Sequence, residues 1–169
     1  MIGNDVVDLA QSRRESNWKR KGFLDKLFTL QEQSVIKNAT DPELVVWLLW
    51  SMKEAAYKIY NRETGLRAFM PQRLHCTINL CENANYYGKV VCGTDVYTTQ
   101  TTIADEMIHT IALPEKHADK RVVFINQPVH KDMRGLPFIR NNYGKIIAVS
   151  KSHHGRYTRV VAMQDMVKT

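Results

Sequence analysis

Cysteine is scarce in this chain, long apolar runs are lacking, and acids are fewer than bases; each shortage removes a class of explanation. The three cysteines, Cys76, Cys81 and Cys92, are odd in number, and their spacing fits no zinc pattern, which wants CxxC pairs or Cys/His sets. They read as reduced, partly buried thiols. No apolar stretch approaches the roughly 20 residues that a spanning helix needs, and no signal-peptide pattern opens the sequence. The expectation is therefore a cytoplasmic protein with no membrane partner. Low-complexity tracts are lacking as well. The 44% hydrophobic and 24% charged content is that of an ordinary globular protein. A chain of this length buries roughly 70% of its unfolded surface without help from metal or disulfide. We read residues 1–169 as a single domain. Acids number 17 against 24 Lys and Arg, a net charge of +7. That balance points to an anionic partner: nucleic acid, an acidic protein or a phosphate-rich small molecule.

Hydrophobic patterning divides the chain. Residues 1–7 alternate as a short strand, with Asp8 a candidate cap for a following helical turn. Residues 12–21 are polar and basic, and 23–28 form a short amphipathic turn. Thr29 followed by Glu32 has capping-box spacing, which predicts a helix over 30–37. Asp41-Pro42 opens the best helix in the sequence, predicted to end near Ile59 or Tyr60. Beyond Gly65 the β-branched and aromatic content rises. Strands are predicted over 74–80, 87–92, 96–102, 107–113, 122–125, 138–139 and 145–152, and over 157–163 after a turn at His154-Gly155. Residues 114–121 read as a solvated linker. A faint likeness between 107–113 and 157–163 hints at two similar sheet elements. The fold class is α+β, with helices in the first 60 residues packed on antiparallel sheet.

The long helix carries chemistry. At about 100° per residue, Leu44, Leu48, Met52, Ala55 and Ile59 share one stripe, the predicted core face. Trp47, Trp50, Glu54 and Lys58 share the neighbouring arc. Read alone, Glu54 and Lys58 are an i,i+4 pair worth a few tenths of a kcal/mol. The flanking indoles indicate that this face is covered, so the pair sits where the dielectric is lower than at a free surface. With Asp5 on the first strand and histidines at the Gly155 turn, the chain offers two carboxylates and several basic groups. That set suits Mg²⁺ held against a substrate pyrophosphate.

Three motifs resemble those of the 4′-phosphopantetheinyl transferases. The family's helical W-[ST]-x-K-E-[AS]-x-x-K stands as Trp50, Ser51, Lys53, Glu54, Ala55 and Lys58. Its G-x-D stands as Gly3, Asn4 and Asp5, at the usual spacing from the glutamate. Ser150, Ser152, His153, Gly155 and Arg156 match S-x-S-H-S-G-R, with Lys151 and His154 as departures. The motif order is that of the small holo-acyl-carrier-protein-synthase type, and the wording is closer to the larger surfactin-synthetase type. The resemblance covers roughly 1–80 and 135–163; residues 81–134 match no motif.

The resemblance implies an enzyme of the family's fold that moves the 4′-phosphopantetheine arm of coenzyme A onto a serine of an acyl or peptidyl carrier protein. Such enzymes release adenosine 3′,5′-bisphosphate and serve fatty-acid or polyketide biosynthesis. Asp5 and Glu54 would ligate Mg²⁺, Glu54 would serve as base, and Lys58 would contact the phosphates. Lys53, Ser152, His153 and Arg156 would join Lys58 in holding coenzyme A. The larger type carries a second acid two residues after the aspartate, where Val7 stands here. Two protein carboxylates are therefore expected on the metal, with Asp8 pointing elsewhere. Arg13, Arg14, Lys19, Arg20 and Lys21 form a basic cluster assigned to the carrier protein's acidic helix, with Phe23 or Leu24 filling an apolar groove; such charges speed encounter more than they tighten binding. By the small-type order a homotrimer is expected, the His153 turn of one chain completing the Asp5–Glu54 site of the next. Two other readings are a non-catalytic carrier-protein or nucleotide-binding module of the same fold, and a nucleic-acid-binding module. The last lacks interleaved aromatics and a recognised motif.

Overall fold

The computed structural model describes residues 1–167. Strand β1 (Gly3–Asp8) ends at a carboxylate that accepts from the backbone N–H groups of Ala10 and Gln11, capping helix α1 (Leu9–Glu15) as the sequence predicts. After the short α2 (Phe23–Leu27), the reciprocal capping box of Thr29 and Glu32 starts α3 (Leu30–Asn38). Asp41 accepts from the Leu44 N–H and Pro42 sits in the first turn of α4 (Pro42–Thr64). This helix runs past its predicted end. The apolar stripe stops at Ile59, but nothing interrupts the helix until Gly65, whose φ of +73° turns the chain away.

Strands β2 (His75–Glu82), β3 (Asn85–Cys92), β4 (Asp95–Ala104) and β5 (Met107–Pro114) form an antiparallel meander. The hairpins at Asn83-Ala84 and Asp105-Glu106 hold both turn residues at positive φ, the sign that type I′ turns require. Sheet order is β1-β5-β4-β3-β2, which brings the first strand beside the last of the meander with Asp5 opposite Thr110. Helix α4 packs on this sheet: Leu48, Met52, Ala55 and Ile59 are buried in one cluster with Val90, Tyr97, Ile108 and Ala112. Leu44 is only partly buried, whereas Val46, Trp47, Leu49, Ser51 and Lys53 are enclosed too. The burial exceeds one stripe because α3 and β2 cover a second flank.

The C-terminal third adds β6 (Val122–Phe124), β7 (His130–Lys131), β8 (Pro137–Arg140), β9 (Ile146–Ala148), β10 (Ser150–His154), β11 (Tyr157–Met163) and α5 (Gln164–Val167). They form two three-stranded sheets, β10-β11-β6 and β7-β8-β9, around Ile139, Ile147, Val149, Val160 and Ala162. The single strand expected over 145–152 is two strands in different sheets. They part at Val149, whose carbonyl accepts from the Arg62 guanidinium at 2.7 Å. The two segments with a faint likeness are β5 and β11, and both border β1. The α+β class holds, with helix concentrated before residue 65. Among the described residues no helix is long and apolar enough to cross a membrane.

Candidate functional site

On β1, side chains alternate between two neighbours. Gly3, Asp5 and Val7 face α4, and the absence of a side chain at Gly3 lets strand and helix approach closely. Asp5 thereby meets the end of the Lys58 side chain, which rises from α4. The Lys58 ammonium donates to the Asn4 carbonyl at 2.6 Å and to Asp5 Oδ1 at 3.3 Å. Glu54, one helical turn before Lys58, faces the same cavity as Asp5. Burial pushes the Glu54 carboxyl up to about 7, helped by the negative charge of Asp5 and opposed by Lys58. Burial also raises Asp5, again against the pull of Lys58. Two crowded acids with a single nearby ammonium form a local excess of negative charge.

The cavity they open into has a volume of ≈ 630 Å³. Trp47, Trp50, Phe23 and Leu27 supply an apolar wall, and Arg20, Lys21, Lys26, His153 and His154 supply positive or titratable groups. One corner thus suits a cation and the remainder suits an anion. Asp5 and Glu54 fit a hard divalent ion, which takes oxygen ligands and completes its shell from water and phosphate. Among the described residues no third His, Cys, Asp or Glu joins them in a metal-ligand cluster, in keeping with the apolar Val7.

The face of β1 away from α4 binds the C-terminal strands. Asn4 donates its backbone N–H to Ser150 Oγ at 2.9 Å and its amide to Ser152 Oγ at 3.0 Å and the Arg159 carbonyl at 3.2 Å. The same amide lies 3.2 Å from Nε2 of His109, whose ring burial holds well below its ordinary value, at about 4. Asp8 is buried and takes the Arg156 guanidinium in a two-pronged pair, both contacts at 2.8 Å. This contact holds its carboxyl far below the usual range. His153 stays exposed, its Nδ1 at 2.8 Å from Thr158 Oγ1.

Several placements differ from expectation. Lys53 does not reach the cavity: it is fully buried, its ammonium bound to Glu32 at 2.9 Å and to the carbonyls of Pro71 and Leu74. The W-S-x-K-E pattern puts Lys53 next to Glu54 in sequence, yet adjacent helical positions lie 100° apart. Ser152 is likewise buried and turned to Asn4. Arg156 has its guanidinium on Asp8, with Glu106 at 3.5 Å. Phe23 packs edge-on against Trp47 and is core as well as cavity wall. The basic cluster divides: Lys21 lines the cavity, Arg13 bridges Glu43 and Glu106, and Arg14 is exposed elsewhere. His153 and His154 line one cavity of the single chain together with Asp5 and Glu54. Arg20 of the basic cluster also lines the cavity, as do Glu15 and Lys26, for which the basic segment and the short amphipathic turn are the only sequence signal.

The model of the 4'-phosphopantetheinyl transferase superfamily matches residues 1–117, well over half of the chain. Among solved structures the chain is similar to the Thermotoga maritima holo-[acyl-carrier-protein] synthase (AcpS), at 14% identity and a TM-score of 0.47, over 86% of this chain and 79% of that one. No curated protein matches it. The matched span holds β1, α4 and the whole meander, and so Asp5 and Glu54; the chain belongs to the 4′-phosphopantetheinyl transferase superfamily.

Proposed function

We propose that the protein transfers the 4′-phosphopantetheine arm of coenzyme A to a serine of an acyl or peptidyl carrier protein, as a holo-acyl-carrier-protein synthase. The observation that supports this most is the meeting of Asp5 and Glu54 with His153, His154 and Lys21 on one cavity. The serine oxygen attacks the phosphorus that bears the pantetheine arm, and the bond to the departing adenosine 3′,5′-bisphosphate breaks. Glu54, titrating at about 7, is suited to take the serine proton near neutral pH. Lys58 holds Asp5 in place through a backbone carbonyl and a carboxylate contact. The cationic groups of the cavity orient the phosphates and favour charge on the leaving group. Asp5 and Glu54 would hold Mg²⁺, which, when bound, supplies charge neutralisation for the pyrophosphate.

In this reading residues 1–169 act as one domain, and the site is complete in each chain whether or not chains assemble. The positive rim formed by Arg20, Lys21 and Lys26 is the side on which an acidic carrier protein docks. The test is incubation of the purified protein with coenzyme A, Mg²⁺ and an apo carrier protein. A mass increase equal to phosphopantetheine, with release of adenosine 3′,5′-bisphosphate and loss of both on adding chelator, is expected. Binding of coenzyme A without transfer to any carrier protein would instead favour a non-catalytic module.

A further inference from the structure

Among the described residues β1 and β10 belong to different sheets, so no ladder of backbone hydrogen bonds fixes the histidine turn beside Asp5. Side chains do so instead, and at the end nearest the cavity they converge on Asp8. Its Oδ1 accepts from Arg156 Nη2 at 2.8 Å as well as from the Ala10 and Gln11 N–H groups at 3.1 and 3.3 Å. Its Oδ2 accepts from Arg156 Nε at 2.8 Å and from the Arg156 backbone N–H at 3.0 Å. Its own backbone N–H donates to His154 Nδ1 at 2.9 Å. That bond leaves the ring proton on Nε2, which faces the Glu15 carboxylate at 3.2 Å.

Gly155 makes the approach possible. It has φ +51°, and a Cβ there would lie 2.5 Å from Asp8 Oδ2. The residue between the histidines and Arg156 is therefore shaped to admit the Asp8 carboxylate. Arg156 keeps over half of its side chain exposed, while Asp8 is enclosed. The arginine is thus held by the acid, and the turn goes with it.

We propose that Asp8 is a positioning residue: through Arg156, Gly155 and His154 it holds the His153–His154 turn on the cavity that Asp5 and Glu54 line, and so sets the affinity for the phosphates of coenzyme A. The claim about affinity rests on the transfer reading above; the claim about the turn does not. Asp8 acts by fixing groups that touch the ligand, three residues after the carboxylate that serves the cation corner.

Asp8→Asn is the discriminating variant, since asparagine caps a helix as well as aspartate. It keeps an acceptor for Ala10 and Gln11 but turns one Arg156-facing oxygen into a donor. We expect the Michaelis constant for coenzyme A to rise at least about 10-fold, the scale of a modest misplacement, with turnover within about three-fold of wild type; losing the charge-assisted pair also lowers the melting midpoint, so both constants are measured well below the unfolding transition. Arg156→Ala should give the same rise, and the double variant no more than either alone. The imidazole signals of His153 and His154 in the ligand-free protein should shift in Asp8→Asn, and binding of adenosine 3′,5′-bisphosphate should weaken in parallel. Unmoved histidine signals, or a loss of turnover at constant affinity, would overturn the proposal. Should wild type transfer nothing, the transfer reading fails while the histidine signals still judge the clamp.

Discussion

Gly3 lies against Ala55 so closely that a Cβ on the glycine would come within 2.0 Å of the Ala55 carbonyl oxygen. A backbone atom cannot swing aside as a side-chain end can, so the strand itself would have to move. Since Asp5 is two residues further along the same face, any retreat of β1 separates it from Glu54 and Lys58. Gly3→Ala is expected to cost about 2 kcal/mol or more in stability, measured by urea unfolding, and to lower transfer even in the fraction that folds.

Glu54→Gln is expected to lower turnover at least about 100-fold, the scale for losing a general base, with circular dichroism unchanged because the buried stripe of α4 is untouched. Near-normal turnover in the folded variant would make Glu54 a structural residue.

The same acid makes stability depend on pH. Its carboxyl is raised from 4.5 to about 7, so between those values the folded protein retains a proton that the unfolded chain has released. The Glu54 contribution to stability then falls as pH rises across the window. His109, held at about 4 in the fold, contributes the opposite slope below about pH 6.5, so the Glu54 effect is read by difference: metal-free wild type should lose thermal stability relative to Glu54→Gln between about pH 5 and about pH 7.5. Added Mg²⁺ should raise the melting midpoint more at about pH 8 than at about pH 5.5, since it binds the ionised acids of the folded state. A wild-type profile that runs parallel to that of Glu54→Gln through this window would contradict the placement of Glu54.

Lys53 is expected to matter for folding and little for coenzyme A. Lys53→Met leaves the Glu32 carboxylate buried without its ammonium partner and should cost about 3–5 kcal/mol. Combining it with Glu32→Gln, which neutralises that charge while keeping an oxygen for the Cys76 N–H, should recover much of the loss. A rise in the Michaelis constant for coenzyme A at unchanged stability would return Lys53 to the site.

Mixtures of Glu54→Gln and His153→Ala chains should show no recovered activity, because the turn lines the cavity of its own chain. Recovery above the sum of the separate variants would mean that neighbouring chains share sites.

The sequence by itself determined the elements whose causes are local. Asp8, Thr29-Glu32 and Asp41-Pro42 start their helices through side-chain contacts with the next turn, and such contacts span few residues. The 3.6-residue repeat marked the core stripe of α4 and placed Glu54 and Lys58 at its edge, and motif wording paired them with Asp5. Tertiary structure decided what depended on partners distant in the chain. Lys53 and Glu54 are neighbours in one motif, but only Glu32, Pro71 and Leu74, brought around the other flank of α4, draw the lysine inside. Arg156 stands in the motif as a phosphate ligand would, and only the fold brings Asp8, 148 residues away, onto its guanidinium. The strand expected over 145–152 divides at Val149, before which the chain pairs with β8 and after which it pairs with β11. Nor does motif order reveal that the His153 turn and Asp5 line one cavity of the chain. That meeting depends on side chains of β1 joining strands of another sheet, contacts that leave no period or spacing in the sequence.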